Sequence, residues 1–247
     1  MLQVKAVILD YIGTITAPRH YTFKASVLKL YNALQAVGFE AAQKDFLSAY
    51  NKAHEKYRLV RYGELREVTN SVWVSEALCS LGYKVNKDDP NMQKALDVFF
   101  QDFIDSLVLR PHAEKLLSYL SEKCKVGLIS NFTYAPVVHE GLRQLGIQSY
   151  FDVVVVSEEN GWRKPHLKIF QDALAKLSVK PDKTLYVGDS PTEDIKGAAE
   201  AGLKTVFVPS QFYSFQDLER SGYKPDFAVA DLEDLYKNLV KFTHFVL

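Results

Sequence analysis

Net charge is the first thing this chain lacks. Lys plus Arg and Asp plus Glu each total 30 among 247 residues, so the formal charge at pH 7 is zero. A balanced chain has no general reason to bind nucleic acid or an anionic membrane, and neither partner is expected. Cysteine is scarce, with only Cys79 and Cys124. They are far apart, outside any C-x-x-C pair and flanked by helix-like sequence. Two reduced thiols in or near a core fit that placement better than a disulfide or a thiolate metal site. No apolar run reaches about 18 residues, so no membrane-spanning helix is expected. The N-terminus opens on a strand pattern, with no basic segment ahead of a long apolar stretch. No leader is expected there, and a cytoplasmic location is the default. Repeats and low-complexity segments are missing too. Apolar residues are plentiful at 47%. That composition excludes global disorder and suggests one large domain or one domain carrying an inserted smaller one.

The apolar residues are arranged in short runs, each followed by turn chemistry: Val4 to Leu9, Val126 to Ile129, Val153 to Val156, Leu185 to Val187 and Val206 to Val208. Near-continuous Val/Ile/Leu runs of this kind fit parallel strands buried on both faces. Helical patterns separate the later runs, at 112–124, 167–177 and 192–203, the last ending near Gly202. Strand alternating with helix predicts βαβ units, an α/β fold and a doubly wound, Rossmann-like parallel sheet. The segment 17–107 differs. It carries helical patterns at 24–38, 41–60, 68–82 and 91–108 and no convincing strand. Some 90 residues are too many for a crossover connection, so an all-helical inserted domain is expected at 17–107, with the α/β core formed by 1–16 and 108–247. Phe46, Tyr50, Trp73, Phe99 and Phe103 are expected to pack the core of the insertion.

Ligands of doubly wound sheets sit beyond the carboxyl ends of the strands. Four features fall there in order: Asp10 in D-Y-I-G-T, Ser130-Asn131, Lys164 in W-R-K-P, and G-D-S-P-T-E-D with Asp189 and Asp194. Each alone has an ordinary reading, since a strand-end Asp can cap a helix and a Lys-Pro can be plain loop. Together they support phosphoryl transfer through an aspartyl phosphate. A carboxylate such as Asp10 is ionised at neutral pH and attacks phosphorus without deprotonation. The phosphate dianion repels it, so positive charge must intervene. Mg²⁺ held by Asp10, Asp189 and a main-chain carbonyl would supply it, and Lys164 would add a further positive group. Ser130, Asn131 and nearby N–H groups would hold the remaining oxygens. Asp194 is either a partner of Lys164 or of a metal-bound water, or a first-turn helix acid.

These four motifs resemble those of the haloacid dehalogenase-like superfamily, and the helical insertion is similar to its C1-type cap. The resemblance runs along essentially the whole chain. It implies a hydrolase with Asp10 as nucleophile, Ser130 as the phosphate-binding hydroxyl, and Lys164 as the lysine that screens the nucleophile and binds phosphate. It also implies Mg²⁺ bound by Asp10, Asp189 and the main-chain oxygen of Ile12, with Gly13 and Thr14 in the phosphate-binding turn. The substrate would be a small phosphorylated molecule and the protein a monomer or homodimer.

One position departs from the pattern. Phosphatases of the superfamily carry an Asp two residues after the nucleophile, which protonates the leaving oxygen and then activates water. Here that position is Ile12. General acid–base help of this kind is worth roughly 10²–10⁴-fold. His20, with an unperturbed pKa near 6.5, is a candidate replacement, unless it is an ordinary surface histidine. Three branches of the superfamily also lack that Asp. The L-2-haloacid dehalogenases have a tyrosine there, whereas Tyr11 is one place off, and they lack a counterpart of Gly188-Asp189. The phosphonoacetaldehyde hydrolases have a D-x-A-G-T motif and a Schiff-base lysine in the cap, for which Lys24, Lys29, Lys44, Lys52 and Lys56 are all available. The P-type ATPases need membrane helices. The reading adopted is a Mg²⁺-dependent phosphatase. The alternatives are a carbon–halogen or carbon–phosphorus hydrolase and a catalytically silent phosphate-binding or interaction protein. In the cap, Arg58, Arg61 and Arg66 are candidates to meet a second anionic group on the substrate, against the alternative of a solvated turn.

Overall fold

The structure, a computed structural model, describes residues 2–245. Its centre is a six-stranded, all-parallel sheet in the order β6-β5-β2-β7-β8-β9. Along the chain, β1 is Leu2–Val4, β2 Ala6–Asp10 and β3 Thr16–Pro18. Four helices follow: α1 (Phe23–Ala36), α2 (Gln43–Gly63), α3 (Asn70–Ser80) and α4 (Pro90–Ser106). The chain returns through β4 (Leu107–Leu109), α5 (Ala113–Ser121), β5 (Lys125–Ser130), α6 (Ala135–Gln144) and β6 (Val153–Val156). Then come α7 (Ser157–Asn160), α8 (Leu167–Leu177), β7 (Thr184–Gly188), α9 (Gly197–Glu200) and β8 (Lys204–Phe207). The last elements are α10 (Phe215–Ser221), β9 (Phe227–Ala228), α11 (Leu232–Phe242) and β10 (Thr243–Phe245).

The strand order explains where a site must form. From β2 the chain builds β5 and β6 on one side, then β7, β8 and β9 on the other. The sheet therefore reverses its winding at β2, and the crevice opens at the carboxyl end of that strand, where Asp10 stands. Register brings the neighbours level: Asp10 lies opposite Ile129, and Leu9 opposite Val187. Alternation of side chains fills both faces. Val7, Leu9, Val126 and Leu128 pack with α5, α6 and α11, while Ala6, Ile8, Ile129 and Tyr186 pack with Ile169, Phe170, Ala173 and Leu174 of α8. Fully burying each large apolar side chain contributes roughly 1.5–3 kcal/mol, so the strand ends are held on a rigid frame.

The run expected from Val4 to Leu9 is interrupted. Lys5 turns its N–H to the Lys183 carbonyl (2.8 Å) and accepts from the Lys125 N–H (3.1 Å). That switch sends β1 into a separate parallel pair with β10. Strands also bound the helical insertion where none was expected inside 17–107. β3 and β4 pair antiparallel, Thr16 with Leu109 and Pro18 with Leu107, so the chain leaves and re-enters the core through one short ribbon. Between these strands, α1–α4 form the helical cap. They bury Leu30, Phe46, Tyr50, Trp73, Leu96 and Phe99 in one cluster that also takes in Tyr134, just before α6, and Val137 within it. α4 starts cleanly because Asp89 accepts from the N–H groups of Asn91 and Met92 and Pro90 opens the first turn. Of the five aromatics assigned to the cap core, Phe103 differs. It is only partly buried, against Tyr21 (ring centroids 4.8 Å) and Phe132 (5.4 Å). Cys124 is buried and Cys79 exposed, and both are free thiols. No helix among the described residues is long and apolar enough to cross a membrane.

Candidate active site

Two strand ends, a loop and a helical turn converge beyond β2. Asp10 closes β2 and Asp189 follows β7 directly. Lys164 comes from the loop before α8, and Asp194 from the π-helical turn Pro191–Lys196. Asp10, Asp189, Asp194 and Lys164 are all at least nine-tenths buried. The Lys164 ammonium donates to Asp10 Oδ1 (2.7 Å), Asp194 Oδ1 (2.7 Å), the Tyr186 hydroxyl (3.0 Å) and the Ile129 carbonyl (3.2 Å). One carboxylate oxygen from each of Asp10, Asp189 and Asp194 lies within 4.8 Å of the other two.

Asp194 is saturated by protein donors. Its Oδ1 accepts from Lys164 and Tyr186 (2.9 Å), and its Oδ2 from the N–H groups of Asp189 (3.1 Å) and Ser190 (2.9 Å). It is hydrogen-bonded to Lys164 and also stands in the first turn of 191–196. Reaching back to those two amides also widens the first turn, so 191–196 is π-helical where an ordinary helix over 192–203 was expected. Gly188 fits this closure, since a Cβ there would meet the Asp194 side chain at 2.4 Å.

Charge does not balance inside this pocket. Three buried carboxylates face one buried ammonium. Burial pushes the Asp189 carboxyl up to about 8, and Asp10 adds to it. Burial also pushes Asp10 up to about 6, although Lys164 pulls the other way. Burial alone would lower Lys164, but Asp10 and Asp194 outweigh it and hold the ammonium well above the usual lysine range. Asp10 Oδ2 is buried with no hydrogen-bond partner. A crowded buried carboxylate of this kind either takes up a proton or is offset by a cation. Asp194 is satisfied, whereas among the described residues Asp10 has one unpartnered oxygen and Asp189 accepts from Ser210 alone, so these two carboxylates have oxygens that suit a hard divalent ion.

Gly13 leaves room for this arrangement. It sits at φ +105°, and a Cβ there would stand 2.3 Å from Asp189 Oδ2. We expect Gly13→Ala to lower stability by about 1–3 kcal/mol through backbone strain. It should cut turnover at least about 100-fold by displacing Asp189. Thermal unfolding and initial rates measured side by side would check this, and a variant with unchanged rates would contradict the placement of Asp189.

The other candidates are distributed as follows. Ser130 is buried at the end of β5, and Thr14 is buried with an unpartnered Oγ1. The Asn131 side chain does not point to an open space. Its Nδ2 donates to the Lys164 carbonyl (2.9 Å) and its Oδ1 accepts from the Lys164 N–H (2.7 Å), so both amide functions clamp the lysine backbone. Ile12 is partly buried and packs at the edge of the main core. Tyr11 is fully buried toward α6, where a Cβ on Gly141 would meet its hydroxyl at 2.4 Å. His20 is exposed at φ 58° and lines a surface pocket with Asp102, Asp105 and Ser106. Arg58 is bound to Glu55 on the exposed side of α2. Arg66 lies over the Trp162 ring at 4.7 Å. Arg61 is largely buried, over Trp73 and 3.1 Å from Glu67.

Sequence reasoning missed several supporting residues. Arg110, just after β4, donates to the carbonyls of Gly13, Thr14 (3.2 Å) and Pro209 (2.7 Å), tying the turn after β2 to the loop after β8. Ser210 donates to Asp189 Oδ2 (2.5 Å). Its position just past the Val206–Val208 run was the available signal. Tyr186 was hidden within a strand, and Glu67 and Arg163 lie 96 residues apart.

The profile of the haloacid dehalogenase-like hydrolases matches residues 4–202. Glyceraldehyde 3-phosphate phosphatase of Methanocaldococcus jannaschii is 36% identical over 138 residues, which are 54% of this chain and 60% of that enzyme. Ribulose-1,5-bisphosphate 5-phosphatase of Halopiger xanaduensis is 27% identical over 213 residues, 83% of this chain and 85% of that enzyme. The matches to the archaeal glyceraldehyde 3-phosphate phosphatases span about half the length of those relatives. Among solved structures, the HAD-hydrolase YfnB of Bacillus subtilis bound to magnesium shares the fold, with a TM-score of 0.60 and 23% identity. The match covers 96% of this chain and 99% of that one.

This chain belongs to the haloacid dehalogenase-like hydrolases.

Proposed function

We propose that this hydrolase is a Mg²⁺-dependent phosphatase of small phosphorylated molecules that works through an aspartyl phosphate on Asp10. The observation that carries the reading is the convergence of Asp10, Lys164 and Asp189 beyond one strand end, with Asp10 Oδ2 buried and free. The named activities of the similar phosphatases support the substrate class. Core 1–16 and 108–247 and cap 17–107 meet at the β3–β4 ribbon, which we take as the hinge.

Asp10 attacks phosphorus as the bond to the leaving oxygen breaks. Lys164 holds Asp10 ionised and oriented and meets a phosphoryl oxygen. The Ser130 hydroxyl and the N–H groups of the Gly13–Thr14 turn and of Asn131 receive the others. The Asn131 side chain fixes the lysine backbone and so sets where the ammonium points. Asp10, Asp189 and the Ile12 carbonyl would hold Mg²⁺, whose charge offsets repulsion between carboxylate and phosphate dianion. Water then opens the aspartyl phosphate, giving inorganic phosphate and regenerating Asp10. The leaving oxygen takes its proton from solvent, because Ile12 has none to give. This favours substrates with acidic leaving groups and slows the second step.

Ile12→Asp tests this reading. With p-nitrophenyl phosphate and Mg²⁺, wild-type protein should release phosphate and the variant should do so roughly tenfold faster or more, since acid–base help is worth roughly 10²–10⁴-fold. A folded variant with no gain would show that another group already moves the proton. Metal-independent chloride release from 2-chloropropionate by the wild type would overturn the phosphatase reading.

A further inference from the structure

A buried ion cluster joins the cap to the loop that carries Lys164. Glu67 lies between α2 and α3 in the cap, and its side chain is fully buried. Its carboxylate accepts from the Arg163 guanidinium at 3.0 and 3.2 Å and from the Ser157 hydroxyl, and it sits 3.1 Å from Arg61. Main-chain bonds align the two segments. The Glu67 N–H donates to the Gly161 carbonyl (3.0 Å), and the Arg163 N–H to the Leu65 carbonyl (3.1 Å). Arg66 and Trp162 form the bridge between them, with the guanidinium over the indole. Arg163 also reaches Glu193 at 3.4 Å. Arg163 precedes Lys164 in sequence and Glu193 precedes Asp194, so the cap carboxylate anchors both segments that hold the Lys164 ammonium.

We propose that Glu67 is a positioning residue for Lys164: it docks the cap on the Lys164 loop through Arg163, so that the seated cap fixes the ammonium that meets phosphate. The proposal rests on the phosphatase reading above for what Lys164 does, but not for the docking. Arg163 Nη1 donates to both Glu67 oxygens while Nη2 reaches Glu193, so the planar guanidinium fixes the direction of both contacts. A neutral amide in its place takes the counter-charge from Arg61, leaves Arg163 only its longer contact with Glu193, and loosens the segment. A displacement of about 1 Å at Lys164 would then be felt as a large loss in rate.

The test compares wild type, Glu67→Gln and Arg163→Lys as full chains. Hydrogen exchange at the Glu67 and Arg163 amides reads docking, and exchange at the Leu9 and Val126 amides reads the integrity of the sheet. The dissociation constant for inorganic phosphate in Mg²⁺, corrected for the folded fraction measured by thermal unfolding, reads Lys164 placement. We expect Glu67→Gln to exchange at least tenfold faster at both interface amides, with the sheet amides unchanged. Phosphate should bind about tenfold more weakly and kcat should fall by a similar factor. Arg163→Lys, which keeps the charge but loses the fork, should lie between, and it serves as the folded variant if Glu67→Gln does not fold. Unchanged interface exchange in both variants overturns the docking. Faster exchange with wild-type phosphate affinity and kcat overturns the positioning of Lys164. If the wild type neither binds phosphate nor turns over, the phosphatase reading and the positioning claim fall together, while the exchange data still decide the docking.

Discussion

Asp10→Asn should abolish phosphate release, by at least about 10⁴-fold in kcat, and should leave the metal-free chain folded and no less stable. The first expectation follows from chemistry, because an amide cannot form the acyl phosphate and loss of a covalent nucleophile removes most of an enzyme's rate enhancement. The second follows from the electrostatics of the pocket. Burial already pushes the Asp10 carboxyl up to about 6, so its ionised form is disfavoured in the folded chain. Asparagine keeps an oxygen for Lys164 while removing one of three crowded negative charges. Losing function while keeping or gaining stability distinguishes an active-site residue from a structural one, since breaking a buried structural ion pair typically costs about 3–5 kcal/mol. Rates and thermal unfolding in EDTA check both halves, and a destabilised variant that still turns over would contradict them.

Mg²⁺ should stabilise the chain, and more so as pH rises. Asp10 and Asp189 bind protons more tightly in the folded metal-free protein than in the unfolded chain, with values pushed up from 3.8 to about 6 and about 8. A raised folded-state value contributes stability that is fully present below the unfolded value near 3.8. That contribution is lost as pH climbs through the folded values. At about 1.4 kcal/mol per unit, the two shifts set an upper limit of several kcal/mol on the loss between about pH 4 and 8. A divalent cation binds the ionised pair and restores what ionisation removed. Unfolding temperatures with and without Mg²⁺ should therefore nearly coincide at pH 5 and separate by about 5 °C or more at pH 8. Activity should vanish in EDTA across that range. A Mg²⁺ increment that is flat or shrinks with pH would contradict this reading of Asp10 and Asp189.

Much of the frame was legible because parallel strands advertise themselves. The runs ending at Leu9, Ile129 and Val187 are continuous, and the residues just past them must face the crevice of a doubly wound sheet. Asp10, Ser130 and Asp189 could be found that way, and Lys164 from its place among them. What was not legible depends on pairing across the chain. Whether Arg58 or Arg61 is buried is decided by which face of α2 meets α3. Arg61 lies over Trp73, and Arg58, three residues earlier, faces solvent. That Asn131 grips the Lys164 backbone rather than a ligand depends on a contact 33 residues away. The break at Lys5 arises because the carbonyl of Lys183 and the amide of Lys125 claim it from both sides. No local pattern encodes these contacts.

The central claim is that Asp10 is the nucleophile and that Lys164, Asp189 and Mg²⁺ surround the phosphoryl group it receives. A crystal structure with Mg²⁺ and beryllium trifluoride, a mimic of the phosphorylated carboxylate, tests it most directly. The mimic should sit on the Asp10 carboxylate, with a fluoride within hydrogen-bond reach of Lys164 Nζ and Mg²⁺ between Asp10 and Asp189. Beryllium trifluoride on another side chain, or Mg²⁺ bound away from both aspartates, would contradict it.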